Sequence, residues 1–216
     1  MINTVSIVFK PGSGGHFLRH FLDPDIDQSN ADFFVDGKWF GTGVPVPYDT
    51  ERFKVSYSKP LPADFTIGLG PSTLKECISV RVMVNTKNMS RTIDQIDSII
   101  QDFHTSTVEY FSQDCDCFLT YTELFVWDKL AYLYNKINSK KPPIFKKEYF
   151  DSYKEKHEAV YDSWQYKVIE KICLFEYNNN LIETVSGKMR TWSIDEINRD
   201  NWQEFLEEKL CLTNYS

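Results

Sequence analysis

The sequence predicts an α/β fold, a three-layer α/β/α arrangement around a mainly parallel sheet with a helical C-terminal half. The first half of the chain alternates β-prone runs with loops, whereas residues from 121 onwards mostly follow helical periodicity. The first apolar run, residues 3–9, shows little alternation, as expected of a strand buried on both faces of a parallel sheet. The 216 residues suit one domain, residues 1–216, and no internal repeat or linker divides them.

Four strands are predicted in the first half of the chain, at residues 3–9, 52–58, 64–70 and 78–85. The last of these is predicted because its valines alternate within a β-branched run. The segment 32–50 is rich in glycine, proline and aromatic residues, which indicates an irregular loop or hairpin. Crossover helices between parallel strands complete the expected pattern.

Helical periodicity predicts the remaining elements. A short helix follows the first strand over residues 15–22, and another begins near Asn88 or Ser90 and carries a stripe of isoleucines. In the second half, helices are predicted at 121–138, once or twice within 145–172, and from Ser193 to Leu210, where Ser193 and Glu196 form a capping box. Residues 173–182 are predicted to form a short β-prone piece and a polar turn.

Composition excludes several classes of protein. The net charge of −7 disfavours a protein that mainly binds nucleic acid, because phosphate neutralisation requires concentrated Lys and Arg. The five cysteines are scattered and odd in number, which indicates reduced thiols rather than a disulfide framework. No secretory signal and no membrane-spanning apolar run is recognisable, so a cytoplasmic protein without a membrane partner is expected.

A glycine-rich segment, FKPGSGGHFLRHFL, connects the first predicted strand to the first predicted helix. Such a loop presents successive backbone N–H groups to an anion, supported by the helix N-terminus. The glycines can take positive φ values, and a serine hydroxyl and a histidine lie beside them. The residues concerned are Gly12, Ser13, Gly14, Gly15 and His16. The alternative is that the glycines serve only a tight connection, since the Gly-Lys-Ser/Thr ending of a nucleotide-binding loop is missing.

The same segment resembles the phosphosulfate-binding loop of the sulfotransferase family, whose usual form is Pro-Lys-Ser-Gly-Thr-Thr-Trp-Leu after the first strand. Pro11, Ser13, Gly14 and Leu18 match this form, while Phe17 stands for the Trp. The departures are a glycine for the lysine and a Gly-His pair for the two threonines.

Three later segments resemble other sulfotransferase motifs. VNTKNMSRT is similar to the motif on the third strand and following helix that holds a 3′-phosphate: Asn85 and Lys87 match it, Thr92 lies at the place of its Ser, and Val84 replaces its Arg. RFKVSYSKPLP resembles the ending of the second strand, where Tyr57, Ser58 and Lys59 lie at the place of the general base His. FEYNNNLI is similar to the family's Tyr-Glu-Asp-Leu element.

The resemblance implies a P-loop NTPase-like fold and transfer of a sulfuryl group from 3′-phosphoadenosine-5′-phosphosulfate (PAPS) to a hydroxyl or amine of a small-molecule or glycan acceptor. Such a protein positions the reacting groups, stabilises the leaving phosphate and provides a base. The candidate catalytic residues are Lys10, His16 and Lys59. The implied cofactor-binding residues are Pro11, Gly12, Ser13, Gly14, Gly15, His16, Phe17, Arg81, Lys87 and Thr92.

Other functions remain open at this point. His16 and His20 have the spacing of a metal pair, but no third ligand is evident and no metal site is predicted. A non-catalytic relative that acts as a binding or structural module is one alternative, because the expected Lys, Arg and His are replaced. A kinase-like enzyme is another, although neither Gly-Lys-Ser/Thr nor a carboxylate for Mg²⁺ is evident.

Overall fold

The structure is a computed structural model, and it describes residues 2–9, 14–25, 34–35, 38–39, 51–57, 59–85, 115–179 and 197–210. The strands are β1 (Val5–Phe9), β2 (Phe34–Val35), β3 (Lys38–Trp39), β4 (Phe53–Ser56), β5 (Phe65–Gly70) and β6 (Cys117–Thr120). The helices are α1 (Gly15–Leu22), α2 (Leu74–Asn85), α3 (Trp127–Asn138), α4 (Ile144–Asp162), α5 (Trp164–Asn179) and α6 (Trp202–Leu210). A 3-10 helix covers Thr122–Phe125.

Four parallel strands form the sheet of the described part of the chain, in the order β4-β1-β5-β6. This confirms the α/β class with a parallel sheet. β4 pairs with β1 on one side and β5 pairs with β1 on the other side. The strand order therefore reverses between β1 and β5. Open α/β sheets bind ligands outside the carboxyl ends of the strands at such a reversal. Phe9 and Gly70 are the last residues of the two strands concerned.

The strands predicted at 3–9, 52–58 and 64–70 are present as β1, β4 and β5. All residues of β1 and β5 are buried, which explains why their sequences are nearly continuous apolar runs. β6 was not predicted, because it has only four residues and three of them are partly exposed. The predicted loop or hairpin at 32–50 contains the short antiparallel pair of β2 and β3.

The strand predicted at 78–85 is wrong, because these residues belong to helix α2. A capping box begins the helix: the Glu76 N–H donates to Thr73 Oγ1 at 3.2 Å, and the Thr73 N–H donates to the Glu76 carboxylate at 3.2 Å. Leu74, Cys77, Ile78 and Val82 are all buried, and their spacing is helical. Capping and burial therefore outweigh the β-propensity of this segment.

The second half is helical, with boundaries that differ from the predicted ones. The helix predicted at 121–138 is two elements, the 3-10 helix and α3, because Val126 between them is extended. Residues 173–179, predicted as partly β-prone, belong to α5. Residues 197–201 precede α6 as a turn, in which the Asn201 and Asp200 N–H groups donate to Asn198 Oδ1. The helix predicted from residue 88 or 90 and the capping box at 193–196 lie outside the described residues.

Aromatic rings connect α1 to the helices of the second half. Phe17 stacks on Tyr153 with ring centroids 3.8 Å apart, and Tyr153 in turn stacks on Phe125 at 5.5 Å. The C-terminus of α1 is held by the buried Lys146, whose ammonium donates to the carbonyl oxygens of His20 and, at 2.7 Å, Asp23. A cation at this position satisfies carbonyls that a helix end leaves without partners. Across the described residues, no helix combines the length and apolar character needed to cross a membrane.

Candidate functional site

Gly14 and Gly15 lie at the start of α1. Gly14 has φ 81, the left-handed conformation that the glycine-rich sequence predicted, and it is the N-cap of α1. Gly15 is needed for a different reason: a Cβ on it would lie 2.1 Å from the ring of Phe9, the last residue of β1. The backbone therefore passes directly over the Phe9 ring as it enters the helix.

Two residues from the second half of the chain lie close to Gly14. A Cβ on Gly14 would lie 2.7 Å from Tyr153 Oη and 2.9 Å from a methyl group of Leu124. Tyr153 is 1% exposed, and burial raises the pKa of its hydroxyl, so the phenol stays protonated at neutral pH. A protonated phenol thus lies beside the left-handed glycine.

His16 and Tyr57 meet at the carboxyl edge of the sheet. His16 Nε2 is 3.1 Å from Tyr57 Oη, within hydrogen-bonding distance. Both rings pack edge-on against Phe9, each with a centroid distance of 5.3 Å. Burial lowers the pKa of His16, and the positive charge of Arg19 lowers it further. His16 is therefore neutral at pH 7 and able to accept a proton.

The N-termini of α1 and α2 differ in their surroundings. The first turn of α1 has no acidic residue, and no side chain of the described residues caps it. The first turn of α2 is occupied by Glu76, whose carboxylate accepts hydrogen bonds from the N–H groups and hydroxyls of Ser72 and Thr122 and from the Thr73 N–H. Since an anion is favoured where helix N–H groups are not already matched by a carboxylate, α1 offers the better anion site.

A buried polar pair lies behind Glu76. Ser79 Oγ donates to the Glu76 carbonyl oxygen at 3.0 Å and is 3.4 Å from His157 Nε2. The His157 ring stacks on Phe125 at 3.6 Å and contacts Tyr161 edge-on at 5.0 Å. Burial lowers the pKa of His157 from 6.5 to about 4, although the Glu76 carboxylate opposes this change. His157 is therefore neutral inside the protein at ordinary pH.

The neutral state of His157 predicts a pH-dependent stability. Because its pKa is lower in the folded protein than its ordinary 6.5, the contribution is complete above pH 6.5 and is lost as pH falls through about 4. The loss amounts to at most about 3 kcal/mol in the free energy of unfolding. Urea unfolding between pH 7 and pH 4 measures it.

Other groups also respond to acid; burial lowers the pKa of His20, for example, to about 3. A variant at His157 isolates the contribution of this residue. His157→Phe keeps a ring against Phe125 and should flatten the pH profile by that amount, whereas Tyr161→Phe should keep the wild-type profile. Equal pH profiles for His157→Phe and the wild type would contradict the prediction.

The structure describes only some of the residues that were predicted to form the site. Gly14, Gly15 and His16 come together at the start of α1. The Phe17 ring is 1% exposed within the core, so only its backbone can face a ligand. Lys59 is exposed after β4, and its N–H donates to Ser56 Oγ at 3.4 Å. Lys10, Pro11, Gly12, Ser13, Lys87 and Thr92 lie outside the described residues.

The predicted 3′-phosphate motif begins at the far end of α2. Asn85 is the last residue of that helix, about 18 Å along its axis from the start near the carboxyl edge. Arg81 belongs to α2 and not to a strand. The third strand of the sheet in chain order is β5, which is followed by Ser72 and Thr73 at the carboxyl edge.

Sequence reasoning assigned no role to three residues that form this edge. Glu76 had a local signal, the spacing Thr73-x-x-Glu76 before an apolar stretch, which is typical of a helix start. Tyr57 was noted only because it lies at the place where the sulfotransferase motif has its general base His. Tyr153 had no signal, because its position beside Gly14 depends on how α4 packs against α1.

The fold and this edge together define an α/β protein with a candidate anion-binding site at the N-terminus of its first helix. No family model matches the chain, and no curated protein or solved structure matches it either. Within the described residues, no three His, Cys, Asp or Glu side chains are grouped so that they could hold a metal ion. A function therefore has to be inferred from the residues of the chain and their geometry.

Proposed function

We propose that the protein binds a phosphate-bearing ligand at the N-terminus of α1. The observation that supports this is the left-handed conformation of Gly14, the N-cap of α1, which has φ 81. The helix follows β1, the strand at which the strand order reverses. Glycine backbone in this conformation can aim consecutive N–H groups at one anion, and the helix dipole favours negative charge there.

The ligand we propose is PAPS, and the reaction is sulfuryl transfer to a hydroxyl or amine of a small-molecule or glycan acceptor. The resemblance of residues 10–22 to a phosphosulfate loop supports this choice, and we propose with it a P-loop NTPase-like, three-layer arrangement of the fold. PAPS supplies an activated sulfuryl group. Of its two phosphate groups, the 5′-phosphate would bind at the N-terminus of α1. Arg81, Lys87 and Thr92 stay predicted contacts of the 3′-phosphate.

The roles of the chain's own residues follow from their chemistry. The N–H groups of the first turn of α1, with Ser13 and Lys10 of the preceding loop, would hold negative charge on the leaving phosphate. His16 is neutral because burial and Arg19 lower its pKa, so it can accept a proton at pH 7. Tyr57 orients the imidazole through the 3.1 Å contact with Nε2. Phe9 holds both rings at the end of β1.

Thermal unfolding with adenosine 3′,5′-bisphosphate tests the proposal. At a hundred times its dissociation constant, the bisphosphate should raise the free energy of unfolding by about 2.7 kcal/mol. The Gly14→Ala variant should lose this stabilisation, because a Cβ would disturb the left-handed backbone and meet Tyr153 Oη. Asn135→Ala, an exposed change on α3, should keep it.

Three results would contradict the proposal. The absence of stabilisation by the bisphosphate in the wild-type protein would remove the assignment of PAPS. Stabilisation by ATP with Mg²⁺ alone would favour the kinase-like function instead. Equal stabilisation of the wild type and Gly14→Ala by the bisphosphate would place the ligand elsewhere.

A further inference from the structure

We infer that the Tyr57 hydroxyl is itself an acceptor of the transferred group, so that the protein becomes modified at this tyrosine when a sulfuryl donor is bound at the N-terminus of α1. The inference rests on the proposed function. It adds a covalent modification site to that function, on a residue at the carboxyl end of β4. Three features support it: Tyr57, a nucleophile, lies beside His16, a base; both lie near the start of α1; and the tyrosine is exposed.

Tyr57 and His16 form a pair of the kind that activates a hydroxyl. Their distance, 3.1 Å from Oη to Nε2, lies within the range of a nucleophile and its general base. A phenol is a weak nucleophile while it keeps its proton, so a base within hydrogen-bonding distance is what makes attack feasible at neutral pH. His16 is neutral at that pH, and in the tautomer that carries its hydrogen on Nδ1 its Nε2 can take this proton.

The pair lies where a transferable group would arrive. His16 is the second residue of α1, so its ring belongs to the first turn whose N–H groups are proposed to hold phosphate. Phe9 contacts both rings, and the backbone of Gly15 passes over the same Phe9 ring. The tyrosine and the start of α1 therefore pack against the same residue.

Tyr57 is also accessible enough to react. Its side chain is 42% exposed, unlike that of Tyr153 beside Gly14, which is 1% exposed. A ring with this exposure can approach a donor bound at the edge without disturbing the core. Tyr153 is stacked between Phe17 and Phe125 within the core and does not have this access.

The chemical step balances without any oxidant or reductant. Tyr57 Oη attacks the sulfur of the donor, and a new O–S bond forms while the bond from sulfur to the bridging oxygen of the 5′-phosphate breaks. The electron pair of that bond leaves with the bridging oxygen, which gives adenosine 3′,5′-bisphosphate. The phenolic proton passes to His16 Nε2. The product is a tyrosine O-sulfate.

Intact-mass measurement after incubation of the whole protein with PAPS tests the inference. The wild-type chain should gain the mass of one sulfuryl group, and peptide mapping should place it on Tyr57. Tyr57→Phe should gain nothing while adenosine 3′,5′-bisphosphate still stabilises it against heat. His16→Gln should slow the gain by about 10²-fold or more, the contribution expected of a general base.

Tyr161→Phe is the matched control. Tyr161 is also a partly exposed tyrosine beside a histidine, since its ring is 5.0 Å from that of His157, but it lies two helical turns beyond Tyr153 on α4. This variant should be modified at the wild-type rate. Because Tyr57→Phe removes one exposed hydroxyl only, its fold should be retained, and the thermal measurement checks this.

The outcomes separate this inference from the function on which it rests. Stabilisation by the bisphosphate without any mass gain from PAPS would overturn the role of Tyr57 and leave the binding proposal standing. A mass gain that persists in Tyr57→Phe would also overturn it. Neither stabilisation nor mass gain would overturn both. A gain from ATP with Mg²⁺ and none from PAPS would reject the sulfuryl donor.

Discussion

We expect Gly15→Ala to lower the free energy of unfolding by about 4 kcal/mol, above the usual cost of overpacking a core. The added Cβ would lie 2.1 Å from two atoms and 2.3 Å from a third atom of the Phe9 ring, far inside van der Waals contact. Phe9 is 1% exposed and cannot move outwards without opening the core. Because the same ring supports His16 and Tyr57, binding of adenosine 3′,5′-bisphosphate should weaken as well. Urea unfolding and the thermal assay measure the two effects.

A double-mutant cycle shows whether the Phe9 ring is the cause. Phe9→Ala removes the ring atoms that the new Cβ would meet, at its own large cost in stability. Gly15→Ala should then add less than about 1 kcal/mol in the Phe9→Ala background, so that the two changes are strongly non-additive. Additive losses would contradict the proposed clash and indicate a backbone cause instead.

We expect Glu76→Gln to lower the free energy of unfolding by about 4 kcal/mol, because hydrogen bonds to a buried charged acceptor are stronger than neutral ones. The carboxylate is 4% exposed and accepts bonds from Ser72, Thr73 and Thr122. An amide presents an NH₂ group to some of these donors and leaves them without acceptors. The loops after β5 and β6 should separate, which urea unfolding and hydrogen exchange of the Thr73 and Thr122 amides measure.

Glu123→Gln is the matched control for this prediction. Glu123 also accepts a backbone N–H, that of Thr120 at 2.9 Å, and pairs with Lys129, but its side chain is 27% exposed. Water can replace its partners, so the loss should be about 1 kcal/mol or less. Similar losses for the two variants would mean that Glu76 does not hold the two loops together.

Local sequence pattern predicted the elements whose burial is simple. β1 and β5 are buried on both faces, so nearly every residue is apolar and the run is recognisable without knowing its neighbours. The glycines between β1 and α1 were predictable too, because a tight strand-to-helix passage needs backbone conformations that other residues resist. The left-handed Gly14 bears this out.

The prediction failed where two local signals competed. Residues 78–85 are rich in β-branched side chains, which favour strands, yet the Thr73 and Glu76 capping box starts a helix just before them. That helix packs against α4 and α5, and its Ile78 and Val82 are buried. Intrinsic preferences differ by less than about 1 kcal/mol per residue, so packing of this extent decides the outcome.

The sequence by itself determined an α/β protein with a glycine-rich turn between its first strand and first helix, because glycine placement and apolar runs act over a few neighbouring residues. The tertiary structure alone decided what surrounds that turn. Tyr57 meets His16 because β4 pairs with β1, and Tyr153 meets Gly14 because α4 packs on α1. Contacts of this kind depend on strand order and helix packing, which no short stretch of sequence encodes.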